Sequence, residues 1–300
     1  MFDLKGIVPP LVTPFDEAGA IQYAAFENNF ERYIAAGVRG FLVLGSNGEA
    51  VYLEHEEKLK LIESARKHVP SSMMLVAGTG VETTDRTIRL SREAADRGVD
   101  AVLVKTPLYF KNRMTHQVLA AHYTAVADAS PVPVIIYNVP VFTGISIEAR
   151  TVALLSQHPN ILGIKESSGS VPLVQDILWN SNPAAFSVVV GSANTLFANM
   201  ACGARGGIVA LACAAPGPCL ELYNAFTAGN MARARSIQRI ITTAALAVTA
   251  KYGIAGLKAA MAFEGFQSGA PRRPLLPLDA AGQQDLERIF RRMHSEMAEV

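Results

Sequence analysis

Cysteine is scarce in this chain. Cys202, Cys213 and Cys219 make an odd three, and the segment "LACAAPGPCL" around two of them is apolar. There is no C-x-x-C pair and no Cys/His zinc spacing, which excludes a disulfide framework and a zinc module. Reduced, buried thiols in a cytoplasmic protein are the expectation. Charge is also thin: 18% of residues are charged, the net charge is +1, and no long block of one sign occurs. Nucleic acid and anionic membrane surfaces therefore have no electrostatic footprint here. No apolar run reaches the length of a membrane span. The opening "MFDLKGIVPP" lacks a basic region followed by an apolar core and a small-residue cleavage site, so no secretion signal is expected. His55, His68, His116, His122, His158 and His294 form no H-E-x-x-H motif. They read as structural or surface groups, and no metal is expected.

What is present is apolar and regular. Half of the 300 residues are hydrophobic, ample for one large core. Apolar, β-rich runs recur at Gly6–Val12, Gly40–Gly45, Met73–Ala77, Ala101–Thr106, Val134–Val139, Ile161–Lys165, Phe186–Gly191 and Gly207–Leu211. Amphipathic segments such as "EHEEKLKLIESARKHV" and "TTDRTIRLSREAADRG" lie between them. Strands alternating with helices predict a parallel sheet covered on both faces. Gly37, Gly98 and Gly203 each precede an apolar run and fit helix ends that need a left-handed backbone. Eight units predict a closed (β/α)8 barrel. The strand signal stops near residue 215, and a C-terminal helical extension follows, with breaks near Gly229 and Gly253. The division falls at 1–225 for the barrel and 226–300 for the extension. The Ala-rich "ITTAALAVTA" is either buried or a subunit contact.

In such a barrel the reactive groups sit at the C-terminal strand ends. "GSNGE" follows the second run, "KTPLY" closes the fourth, "YNVP" the fifth, "KES" the sixth and "GSAN" the seventh. Two lysines compete. An apolar pocket disfavours the ammonium of Lys105 or Lys165 and so favours a nucleophilic amine. The alternative for either is an ion pair or a snorkel to solvent. Tyr137 ends the run next to that of Lys165, where it can relay protons or simply fill the core. The "GSNGE" turn offers N–H groups, a hydroxyl and an amide for a carboxylate or phosphate.

Taken in order, "GIVPPLVTPF", "GSNGEA", "TPLYF", "YNVPVFTG", "GIKESSG" and "GIAGLKAAM" resemble the dihydrodipicolinate synthase / N-acetylneuraminate lyase family of class I aldolases. The match covers nearly the whole chain. The resemblance implies a (β/α)8 barrel with a helical extension and a homotetramer built as a dimer of dimers. It implies Lys165 as the lysine that forms an imine with pyruvate or another 2-oxo acid, and demotes Lys105. Tyr137 becomes the proton-relay tyrosine. Ser46 and Asn47 become the carboxylate-binding pair, and Ser46 also joins the relay. Tyr109 becomes the residue that crosses a dimer interface into a neighbouring site. Ser167, Gly191, Ile208 and Phe142 complete the implied substrate-binding set. No metal or organic cofactor is needed, because the imine is the electron sink.

Two departures bear on the substrate. Dihydrodipicolinate synthases read "G-T-T-G-E" and carry an arginine where this chain has Phe142, which cannot bind a carboxylate. Leu108 stands where a tyrosine accompanies feedback inhibition by lysine. The resemblance therefore points to 4-hydroxy-2-oxoglutarate aldolase, with dihydrodipicolinate synthase or another 2-oxo acid aldolase or dehydratase as the alternative. A non-catalytic 2-oxo acid-binding scaffold is the alternative of another class.

Overall fold

The computed structural model describes residues 3–300. All eight runs form strands: β1 Gly6–Val8, β2 Gly40–Val43, β3 Met74–Gly78, β4 Ala101–Lys105, β5 Val134–Asn138, β6 Ile161–Glu166, β7 Ser187–Val190 and β8 Gly206–Ile208. Every pairing is parallel, and neighbours run β1-β8-β7-β6-β5-β4-β3-β2. The remaining seam closes through the Leu11 N–H to Leu42 O (2.8 Å) and the Leu42 N–H to Pro9 O (3.2 Å). The result is the (β/α)8 barrel.

Several strands stop short of their apolar runs, each for a local reason. β1 ends at Val8 because Pro9 and Pro10 have no N–H to continue a ladder. β2 ends at Val43 because Leu44 turns left-handed, with φ 57°. β8 ends at Ile208, and Leu211 instead opens a short helix, Leu211–Ala214.

Alternation along the strands divides the core in two. Val8, Leu42, Val76, Leu103, Ile135 and Val189 fill the barrel interior. Ile7, Phe41, Leu75, Val102, Ile136 and Val188 pack outward with the helical layer. Gly37 and Gly203 take left-handed φ values of 87° and 116° directly after their helices. The hydroxyls of Thr83, Thr115 and Ser170 cap the helices that follow them, each satisfying a free N–H of a first turn.

Helix Pro216–Thr227, which follows β8 and straddles the 225/226 division, leads into the C-terminal region of helices Met231–Leu246, Gly253–Phe263 and Ala280–Met297. Breaks fall at Gly229 and Gly253, both left-handed. A π-helical turn, Ala247–Lys251, connects Met231–Leu246 to Gly253–Phe263. In "ITTAALAVTA" the residues Ile241, Ala244, Ala245, Ala247 and Val248 are buried within the chain itself. Among the described residues no helix is long and apolar enough to cross a membrane. All three cysteines are free; Cys213 and Cys219 are buried, whereas Cys202 is partly exposed. Burial pushes the Cys219 thiol up to about 12 and the Cys213 thiol further still.

Candidate active site

Strand register sets one row of side chains across the C-terminal end of the barrel. Lys105 of β4 pairs with Tyr137 of β5, Tyr137 with Lys165 of β6, and Lys165 with Val189 of β7. Residues so paired in a parallel sheet face the same side. Lys165 is 4% exposed, and its Nζ lies 4.4 Å from the centre of the Tyr137 ring. Among the described residues no carboxylate is within ion-pair distance of that amine. Its sequence neighbour Glu166 faces the other way. The Glu166 carboxylate accepts from Asn138 Nδ2 at 2.8 Å and from the Ser168 N–H at 2.9 Å, and burial raises its pKa despite those bonds. The competing lysine has a partner: Lys105 Nζ lies 3.6 Å from Glu82 Oε1. Burial lowers the Lys105 pKa, and Glu82 works against that shift. Residue chemistry alone left the two lysines tied, and the resemblance chose Lys165; in the structure they differ, one being paired with a carboxylate and the other standing beside a tyrosine.

The turn after β2 supplies the next group. Ser46 Oγ lies 3.3 Å from Tyr137 Oη. This turn is bounded by two non-glycine residues with left-handed backbones, Leu44 (φ 57°) and Glu49 (φ 55°). Such conformations cost about 1–3 kcal/mol each and persist only where surrounding contacts impose them. The contacts are visible. Thr13 Oγ1 donates to the Gly48 carbonyl at 2.7 Å. The Glu49 carboxylate, 2% exposed, lies 2.6 Å from Lys258 Nζ and accepts the Arg272 backbone N–H at 2.8 Å. Lys258 also donates to the Thr13 and Ala270 carbonyls, at 2.8 and 2.7 Å. Burial lowers the Lys258 pKa to about 8, with Glu49 opposing. Sequence reasoning missed this cluster. The available signal was a lone lysine inside the apolar "GIAGLKAAM".

The remaining predicted residues fall in three places. Gly191 closes β7 against the lysine: a Cβ there would collide with Ser167 and come within 3.2 Å of Lys165 Cε. Ser167 Oγ is buried beside it and, among the described residues, has no hydrogen-bond partner. Asn47 is half-buried on the turn with Ser46, and Ile208 is fully buried in the barrel interior. Phe142 sits on the short helix Pro140–Thr143 and is 60% exposed. Tyr109 is 78% exposed and lies edge-on to Phe110 at 5.0 Å. Glu82 fixes its loop by accepting the Leu108 and Tyr109 N–H groups, both at 3.0 Å. Within this chain Tyr109 makes no hydrogen bond to Tyr137 or Ser46. A cavity of about 270 Å³ opens beside the row, lined by Ser46, Tyr137, Lys105, Glu82, Lys58 and Val51 among others. Among the described residues no group of three or more His, Cys, Asp or Glu is placed to hold a metal.

The arrangement joins a buried unpaired amine, a phenol and a hydroxyl in sequence, next to a glycine wall and an unpartnered serine. It can capture a carbonyl carbon on the amine and move a proton along the phenol and hydroxyl.

Comparison with known proteins gives a consistent result. The model of the "Dihydrodipicolinate synthetase family" matches residues 3–293. A 4-hydroxy-tetrahydrodipicolinate synthase of Exiguobacterium sp. is 34% identical over 281 residues, 94% of this chain and 95% of that one. The synthase of Geobacter metallireducens is 35% identical over 287 residues, 96% and 98% of the two chains. Among solved structures, the synthase of Methylacidiphilum fumariolicum SolV superposes with a TM-score of 0.93 at 28% identity, covering 99% of this chain and 98% of that one. YagE, a prophage protein of E. coli K12 in the dihydrodipicolinic acid synthase family, was solved in complex with pyruvate. It superposes with a TM-score of 0.91 at 27% identity, covering 97% and 99%. These curated relatives carry the synthase name. They support the family, and they favour the synthase over the 4-hydroxy-2-oxoglutarate aldolase that the motifs suggested.

Proposed function

The chain belongs to the dihydrodipicolinate synthetase family, is a class I pyruvate-dependent lyase, and from that premise we propose that Lys165 forms the imine with pyruvate. The single observation behind this assignment is the buried Lys165 amine, free of any carboxylate, 4.4 Å from the ring of Tyr137. The neutral amine attacks the ketone carbon of pyruvate, and loss of water gives an imine that protonates to an iminium. The iminium draws electrons from C3, which loses a proton to give an enamine. The enamine carbon adds to an aldehyde, and Tyr137 gives the new oxygen its proton; cleavage runs the same steps in reverse. Tyr137 works as a relay that passes a proton on to its neighbour rather than as a lone base. Ser46, 3.3 Å from its hydroxyl, is the next member of that relay. Ser46 and Asn47 hold the pyruvate carboxylate, and Ser167 Oγ and Gly191 border the iminium. Tyr109, exposed on its loop, completes the relay of a neighbouring copy in a homotetramer.

The aldehyde is a small carboxylated one, and two readings are supported by different observations. The names of the relatives favour aspartate semialdehyde, and that is the reading the comparisons support better. Phe142 weighs against aspartate semialdehyde, because it cannot hold that substrate's carboxylate as an arginine does; glyoxylate, with 4-hydroxy-2-oxoglutarate as the compound cleaved, is the second reading. Purified protein incubated with pyruvate and borohydride should carry an adduct on Lys165; an adduct on Lys105, or none, overturns the proposal. Condensation with aspartate semialdehyde and cleavage of 4-hydroxy-2-oxoglutarate, measured side by side, decide between the two aldehydes.

A further inference from the structure

The turn that carries Ser46 is held from the C-terminal extension. Its two ends, Leu44 and Glu49, are both left-handed without being glycine, a conformation that does not persist unaided. The described contacts that hold the Glu49 side chain come from far along the chain: Lys258 of helix Gly253–Phe263 and the Arg272 backbone. Both Lys258 and Glu49 are 2% exposed. The lysine's Nζ lies within ion-pair distance of Glu49 Oε1 and donates to the Thr13 and Ala270 carbonyls. Thr13 in turn donates its hydroxyl to Gly48. One ammonium thereby ties the turn, the segment after β1 and the extension together.

A buried ion pair is a poor source of stability, since an apolar pair of similar volume often serves as well. Its use here is to fix position. We propose that Lys258 and Glu49 are positioning residues for the pyruvate-binding turn: the pair imposes the left-handed backbone at Glu49 and so sets Ser46 and Asn47 against Tyr137. The inference rests on the reading of that turn as the carboxylate site. It gives the C-terminal extension a part in the chemistry.

The test uses the whole protein with Lys258→Met and Glu49→Gln combined, which removes both charges at nearly constant shape. Its melting temperature, the amide exchange of residues 44–50, and the pyruvate concentration giving half-maximal borohydride trapping are compared with the parent. The expected result is a melting temperature lowered by the loss of the donor to the Thr13 and Ala270 carbonyls, with folding retained, faster exchange confined to the turn, and half-saturation raised at least tenfold. A double variant that matches the parent in exchange and half-saturation overturns the proposal, because a purely structural pair is replaceable. Glu49→Asp keeps both charges but shortens the reach, and it guards against a double variant that does not fold. It should raise half-saturation about threefold, and no change there also overturns the proposal. If the parent itself is not trapped by pyruvate, the reading of Lys165 fails, while exchange at 44–50 still decides whether the pair holds the turn.

Discussion

Lys165 and Tyr137 meet at one register position of adjacent strands, the amine 4.4 Å from the centre of the ring. Replacing one should therefore expose the role of the other. Lys165→Ala removes the nucleophile, and pyruvate trapping should vanish. Tyr137→Phe keeps the ring beside the amine and removes only the hydroxyl. Trapping should persist while turnover falls about 10²–10⁴-fold, the usual scale of a lost proton-transfer group. Mass spectrometry after borohydride and steady-state rates check both. Full turnover in Tyr137→Phe would remove the tyrosine from the relay.

Gly191 borders the same amine. An added methyl would clash with the Ser167 hydroxyl and with Ser167 Cβ at 2.7 Å, and would press on Lys165 Cε at 3.2 Å. Gly191→Ala should displace the lysine by a fraction of an ångström and slow trapping by about 10², as misplaced reacting groups do. The trapping rate at saturating pyruvate measures it.

Phe142 marks the aldehyde end. It is 60% exposed on its short helix, so an arginine there meets no packing obstacle. Phe142→Arg should improve condensation with aspartate semialdehyde. A charge-assisted bond contributes about 1.5–3 kcal/mol, or roughly ten- to a hundredfold in kcat/KM at 1.4 kcal/mol per decade. The measurement is kcat/KM for both aldehydes in parent and variant. An unchanged ratio would separate residue 142 from acceptor choice.

His122 gives the fold an acid-sensitive group. Its Nδ1 lies 2.9 Å from Thr84 Oγ1, and the ring is buried. Burial, aided by the nearby Lys105 charge, lowers its pKa from 6.5 to about 4. The unfolded chain then binds more protons between those values. His122 thus contributes stability that is fully present above pH 6.5 and is lost as pH falls toward 4. The loss is about 3 kcal/mol at 1.36 kcal/mol per unit. Urea titrations at pH 7 and pH 4.5, which cover about two of those units, should show a pH dependence smaller in His122→Asn by roughly 2 kcal/mol. Equal dependence in parent and variant would refute the assignment.

The sequence determined the barrel because the signals it needs are local. Continuous apolar runs, amphipathic intervals, and Gly37, Gly98 and Gly203 at helix ends each act within a few residues. The ends of β1, β2 and β8 were less legible, since an apolar run does not reveal that Pro9 lacks a donor to the sheet or that Leu44 turns left-handed. Position along the chain also placed Lys165, Tyr137 and Ser46 at the C-terminal end of the strands, where the structure brings them together. It could not separate Lys165 from Lys105, because which of them finds a carboxylate depends on Glu82, a residue 23 positions before Lys105. The clamp on the turn lay further out of reach. Glu49 and Lys258 are 209 residues apart, and only closure of the barrel and docking of the extension bring their charges together beneath the surface.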